Sequence, residues 1–311
     1  MSQATNLTIS RRSFLTLATS SAAAATLSLD AWASPKPTPV GIQLYMVKDD
    51  LEKDSAGTLQ KVAAIGYQEV EPAGFGKLSA TEFGKLVNAA GLRAPSAHLN
   101  FGMAETPKLL DDAKALGVHY AVSSILPPQP PSGGFSGILA MLNSLKVDDF
   151  KKIAALANKI GEQAKAVGLQ YAYHNHNFEF RDLGGGETGY QILLHETDAN
   201  LVKFEADCGW MAAAGVNPVS YLSKHGNRFA MLHIKDFNNI GKPVTTLMEP
   251  DGPKPAELGR GQIDYKPIIA AARVARIEHF FVEQEPPFTE MPAMEAAKVD
   301  YEALKVLLRN S

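Results

Sequence analysis

The sequence is poor in several things, and each shortage excludes a class of protein. It has one cysteine, Cys208, so no disulfide can form within the chain. Its 30 Lys and Arg residues nearly balance 33 Asp and Glu residues, for a net charge of -3. That leaves neither a basic surface for nucleic acid nor an acidic trap for cationic ligands. Beyond the N-terminus there is no apolar run approaching the ~20 residues of a membrane-spanning helix. No G-x-G-x-x-G follows an early strand, Gly74-Phe75-Gly76 being too sparse, which weakens any dinucleotide-binding reading. There is no P-loop and no Arg-rich cradle for a phosphate. The remainder, 45% hydrophobic and 20% charged, is the composition of an ordinary globular chain.

Residues 1–33 read as a targeting segment and not as fold. Ser10-Arg11-Arg12-Ser13-Phe14-Leu15 resembles the twin-arginine export motif. A mild Ala/Thr/Ser/Leu stretch follows, too short and too rich in Ser and Thr to span a membrane stably, and Ala31-Trp32-Ala33 has the small-x-small pattern of a cleavage site. The expectation is export to a bacterial periplasm by the twin-arginine route, with a mature domain at 34–311 and no membrane contact in the mature form. That route carries folded proteins, and a chain without disulfides is compatible with it.

From Pro39 onward, apolar runs of four to seven residues alternate with helical patterns. Strands are expected at Val40–Tyr45, Tyr67–Glu71, Arg93–His98, Val118–Ser123, Tyr171–Phe180, Leu201–Ala206, Phe229–Ile234 and His279–Val282. The intervening helices begin with Leu51–Ile65 and with Glu82–Ala90, capped by Thr81, and close with Ala293–Leu308. Two Pro/Gly-rich loops, 126–146 and 238–261, interrupt the rhythm. Eight strand–helix units argue for a parallel sheet closed as a single (β/α)8 TIM barrel, an α/β fold of ~250 residues or more. The runner-up is an open doubly wound sheet.

In such a barrel the active site lies at the C-terminal strand ends, so the polar residues there carry the chemistry. The stretch Tyr171–Phe180 is the most informative. Side chains alternate along a strand, which puts Ala172, His174 and His176 on one face, followed by Glu179. Other strand ends supply Gln43 and Tyr45; Glu69 and Glu71, of which only one is expected to face inward; His98 and Asn100; Asp207; His233, Lys235 and Asp236; and Glu283, Gln284 and Glu285. Burying ionisable groups is costly unless they are paired or bound to metal, so their recurrence on one rim favours a site over packing. His119, His195, His225 and His279 lie at strand starts or in helices and read as surface or packing residues.

Four motifs in order, His174-Asn175-His176, Asp207-Cys208-Gly209-Trp210, His233-Ile234-Lys235-Asp236 and Val282-Glu283-Gln284-Glu285, resemble the xylose isomerase-like barrels. Within them the chain is most similar to the sugar (phosphate) isomerase/epimerase branch that includes inosose dehydratase and the ketose 3-epimerases. The resemblance implies one divalent ion (Mn, Co, Mg or Zn) held by a Glu, an Asp, a His and a second Glu. Here it implies Asp207, His233 and Glu283, with His174 in place of the strand-five Glu and His176 as its rival. The two liganding glutamates of the 3-epimerases exchange the substrate proton, so the replacement points away from a plain epimerase. The chemistry implied is enolisation: a carbonyl is polarised, the neighbouring proton is removed, and an enediolate is reprotonated or loses a β-substituent. Glu283 or Glu285 would be the base and Lys235 the oxyanion stabiliser. Glu71, His98 and His176 would hold hydroxyls, and Trp210, Phe178 or Tyr45 would offer a face to the sugar ring.

Export makes a free sugar, an inositol derivative or a keto-glycoside a better expectation than a sugar phosphate. Barrels of this family often self-associate, so a homo-oligomer is possible, with the two long loops serving as lids or as subunit contacts. Two other classes compete. One is an endonuclease IV-like metal hydrolase, which would need a basic groove. The other is a non-catalytic periplasmic sugar-binding barrel, which would lack both metal and proton exchange.

Overall fold

The computed structural model describes residues 38–310 together with Met1. The export segment and its boundary with the mature domain, Met1 aside, lie outside the described residues. In chain order the strands are β1 Gly41–Gln43, β2 Glu69–Glu71, β3 Ser96–His98, β4 Tyr120–Ser123, β5 Gln170–His174, β6 Val202–Asp207, β7 Phe229–Ile234, β8 Asp236–Asn238, β9 Lys254–Ala256 and β10 His279–Val282.

Eight of these form one parallel sheet in the order β2-β1-β10-β7-β6-β5-β4-β3. Its two edges meet. Glu69 and Arg93 form a parallel bridge, Val70 N donates to Arg93 O at 2.8 Å, and His98 N donates to Pro72 O at 2.8 Å. The expected (β/α)8 TIM barrel is therefore the fold, with β10 as its eighth strand. The longer helices cover the outside by burying one stripe each. In Val147–Ala166 the buried residues include Phe150, Ile153, Ala157, Ile160 and Ala164, spaced three or four apart. No helix among the described residues is long and apolar enough to cross a membrane.

Inside the barrel, Val122, Ala172, Met231 and Phe281 form an apolar plug. Ala172, Met231 and Phe281 each stand two residues before His174, His233 and Glu283. Those three polar residues therefore share the inward face one pleat closer to the C-terminal mouth.

Several local expectations are corrected. The first expected helix is two, Lys48–Lys53 and Ser55–Ile65, because the Asp54 side chain accepts from Gly57 N and starts a new helix. The next helix is capped by Ser79, whose capping box with Glu82 displaces the proposed Thr81 cap. Loop 126–146 contains a helix, Gly134–Leu142, and loop 238–261 contributes the antiparallel β8–β9 pair.

The fifth strand stops at His174. Beyond it the Asn175 side chain pairs with the backbone of Asp207, at 3.1 Å and 3.3 Å, and Glu179 Oε2 accepts from His176 N at 3.0 Å. Side chains thus take over the hydrogen bonds a longer ladder would have made. Glu69 and Glu71, two residues apart, both face inward. Glu71 reaches the mouth, while Glu69 lies at the opposite end beside His279 at 2.9 Å and Arg93 at 3.2 Å.

Candidate active site

The mouth holds two connected levels of charged side chains, and each level follows from a two-residue strand period. On β6, Glu205 and Asp207 share a face; after β7, Lys235 shares that of His233; after β10, Glu283 and Glu285 continue the face of Phe281. Register places His174 beside Glu205 and Asp207 beside His233.

At the inner level, Glu205 Oε2 lies 2.7 Å from His98 Nε2, 2.9 Å from His174 Nδ1 and 3.3 Å from His233 Nε2. Glu71 Oε2 lies 2.7 Å from His233 Nε2 and 3.1 Å from His98 Nε2, and it accepts from Gln43 Nε2 at 2.9 Å. The His98 and His233 rings stack with centroids 5.3 Å apart.

At the outer level, Lys235 Nζ stands 3.0 Å from Asp207 Oδ2, 3.0 Å from Glu283 Oε2 and 2.6 Å from Glu285 Oε1. His233 joins the levels, its Nδ1 being 3.0 Å from Glu283 Oε2. A close backbone approach fixes this arrangement. A Cβ on Gly209 would meet Lys235 O at 2.6 Å, so only glycine lets the helix Cys208–Ala213 sit against the end of β7. Asp207 caps that helix by accepting from Trp210 N at 2.8 Å.

Burial and mutual charge set the ionisation of these groups. Burial would push Glu71 and Glu283 up. Instead His98 and His233 hold Glu71 well below the carboxylate range, and Lys235 and His233 do the same for Glu283. Glu205 is held at about 2 against both its burial and the neighbouring Glu71, chiefly by His233 and His98. Burial disfavours a charged His98, yet Glu71 and Glu205 raise it to about 10. His233 is likewise raised against burial, most by Glu205. Burial drives His174 well below its ordinary value, and burial with the nearby Lys235 lowers His176 to about 3. Lys235, despite burial, is raised by Asp207, Glu283 and Glu285. It is an ammonium in this setting, suited to meet developing negative charge and unsuited to act as a base.

Two overlapping sets of donor atoms could hold a cation: His98, His174, Glu205 and His233, and Asp207, His233 and Glu283, each set lying within 4.8 Å. Buried Glu71 Oε1, Glu205 Oε1 and Asp207 Oδ2 have no hydrogen-bond partner among the described residues. Asp207 Oδ2 faces Lys235 as an ion pair without hydrogen-bond geometry. Buried polar atoms are normally satisfied, so the residues fit a divalent ion. The expected foursome His174, Asp207, His233 and Glu283 is divided between the sets. His174 joins the inner one, with its Nε2 still 3.8 Å from Asp207 Oδ2. Glu205 was missed, although its place two residues before Asp207 on one strand was the signal.

The other expected residues fall in varied places. His176 packs between Phe178 and His174 with its Nδ1 unpartnered, and Phe178 is buried against it. Trp210 packs on Phe237 at 4.9 Å, with Lys235 Nζ 5.1 Å from its ring and its own Nε1 without a hydrogen-bond partner among the described residues. Tyr45 is exposed and bonded to Lys48. Burial raises Glu179 to about 8, and it braces the turn through Tyr173 and His176, outside both donor sets. Asp236 leaves the site to accept from Phe237, Gly259, Gly261 and Ile263 N. The long loops are clipped together: Asn143 pairs with Leu247, and Asn177 Nδ2 donates to Val244 O and Thr246 O. A hollow of about 480 Å³ between Asn143–Asp148 and Arg181–Leu183 is lined by none of the charged residues of the mouth.

Fold and mouth together define a class, the (β/α)8 barrels that gather imidazoles and carboxylates at the C-terminal strand ends. The chain belongs to the xylose isomerase-like TIM barrel family, whose model matches residues 59–305. An inosose dehydratase of Geobacillus thermodenitrificans is 30% identical over 141 residues, 42% of this chain and 45% of that one. The chain thus matches less than half the length of that relative. A crystal structure of a sugar phosphate isomerase/epimerase from Parabacteroides distasonis superposes with a TM-score of 0.68 at 25% identity, covering 89% of this chain and 97% of that one. A xylose isomerase-like TIM barrel protein from Mycobacterium smegmatis, solved in complex with magnesium, gives 0.61 at 15% identity over 87% and 96%, a likeness of fold alone.

Proposed function

We propose that the protein is a divalent-metal-dependent isomerase, epimerase or lyase that enolises a free sugar, an inositol derivative or a keto-glycoside. The observation that carries this reading is the Lys235 ammonium held among Asp207, Glu283 and Glu285 directly above the His233–Glu205 cluster. That juxtaposition sets a fixed positive charge and a carboxylate beside a group of metal donors. A bound divalent ion supplies Lewis-acid polarisation of the substrate carbonyl; the donors that could hold it are the two sets that share His233, one adding His98, His174 and Glu205 and the other Asp207 and Glu283.

The chain's own groups divide the remaining work. Glu285 is the better base of the two glutamates. It is 32% exposed and, among the described residues, held by Lys235 alone, whereas Glu283 is fastened by both His233 and Lys235. Lys235 stabilises the oxyanion as the proton leaves. Glu71 and the neutral His176 hold hydroxyls, as does His98 where it is not taken up by the ion, with the Trp210 indole N–H as a further donor. Residues 1–33 supply twin-arginine export, so the enzyme works in the periplasm on substrates available there. Incubating the metal-loaded protein with free ketoses, sugar phosphates and 3-keto-glycosides, and following turnover, tests the substrate class. Turnover of the phosphates alone would overturn it.

A further inference from the structure

We infer that the tightly bound ion is held at the inner level, by His98, His174, His233 and the Glu205 carboxylate, and not between Asp207 and Glu283. This rests on the metal-dependent reading above and specifies the ligands and class of ion within that site. Two observations separate the levels. Between the outer carboxylates the space is already taken by a cation, since Lys235 Nζ is 3.0 Å from both Asp207 Oδ2 and Glu283 Oε2. A divalent ion bound to both would face that ammonium at short range. The other oxygen, Asp207 Oδ1, is committed by its cap on Trp210 N.

The inner level has the opposite character. Glu205 is fully buried, its Oε2 lies 2.7, 2.9 and 3.3 Å from three different imidazoles, and its Oε1 has no hydrogen-bond partner among the described residues. Three ring nitrogens and one carboxylate oxygen make a four-donor set of the kind that holds Zn. If His233 ligates through Nε2, its Nδ1 is left to donate to Glu283 at 3.0 Å, the carboxylate partner that a ligating imidazole usually has. Glu283 is then a positioning residue for His233. A donor set dominated by imidazole favours Zn or Co, whereas Mg prefers oxygen.

The test is metal content and affinity, read without any substrate. The purified full chain is stripped with a chelator, reloaded separately with Zn and Mg, desalted, and analysed for ions per chain. Zn affinity is then measured by competition with a chromophoric chelator. The expected result is one Zn per chain and no retained Mg. Glu205→Gln and His98→Gln should weaken Zn by about 100-fold or more, while Asp207→Asn stays within about 10-fold of the parent. Loss of Zn in Asp207→Asn equal to or greater than that in Glu205→Gln overturns the inference, as does retention of Mg in preference to Zn, and either leaves the functional reading standing. A folded parent that retains neither ion overturns both. Circular dichroism melting of each variant confirms that a lost ion is not a lost fold.

Discussion

Both ends of the barrel bury a glutamate of β2 beside a histidine, and they use the pair differently. At the base, Glu69 meets His279 at 2.9 Å and Arg93 at 3.2 Å, and Arg93 is largely in solvent. One carboxylate faces one cation and one imidazole, and its oxygens are accounted for. At the mouth, Glu71 meets His233 and His98, which also meet Glu205, which also meets His174, and carboxylate oxygens remain without a hydrogen-bond partner among the described residues. An end built only for stability satisfies its charges. An end that leaves several buried oxygens bare is incomplete without a ligand, because unpaired buried charge is costly.

The sharpest break in this contrast is His233→Ala, since His233 belongs to both donor sets. It should abolish metal retention and turnover together, and by taking one partner from each of the buried carboxylates Glu71, Glu205 and Glu283 it should cost about 3 kcal/mol of stability, read from denaturant unfolding. A smaller effect is expected from Glu285→Gln and Lys235→Met. Each should lower kcat/KM by about 10²–10³-fold, while Glu285→Gln leaves metal content unchanged. Steady-state kinetics beside metal analysis distinguishes these from His233→Ala.

The metal-free protein should also show the mouth's charges in its pH profile. His98, raised to about 10 from an unfolded value of ~6.5, contributes stability that is full below pH ~6.5 and fades as pH rises toward 10. Glu205, lowered to about 2 from ~4.3, contributes stability present above pH ~4.3 and lost as pH falls toward 2. Thermal melts of chelated protein across that range should form a dome, and His98→Gln should flatten its alkaline limb. The smallest effect belongs to the base. Glu69→Gln should cost about 1–2 kcal/mol and leave kcat and metal content where they were.

Much of this arrangement was legible in the sequence. Phe229–Ile234 and His279–Val282 were read with their observed bounds, because continuous apolar runs between turn signals mark buried parallel strands. The rim residues Glu71, His98, His174, His233, Lys235 and Glu283 were found by asking which apolar strands end in ionisable groups. What was not legible depended on cross-chain contacts. The end of β5 is set by Asn175 pairing with Asp207 backbone, and Asp236 is drawn from the rim by the N–H groups of residues 237–263, neither of which leaves a local pattern. Glu205 and the inward Glu69 were within reach of the two-residue strand period; they needed that rule applied along the whole strand and not only at its end.

The most direct test of an enolising mouth is deuterium wash-in from solvent. The metal-loaded protein would be incubated in deuterated buffer with free ketoses and 3-keto-glycosides, beside chelator-stripped protein and Glu285→Gln. Label appearing at the carbon next to the carbonyl, lost on stripping and strongly reduced in Glu285→Gln, is the predicted result. No label with the loaded protein, or equal label after stripping, would contradict a metal-dependent proton abstraction at this site.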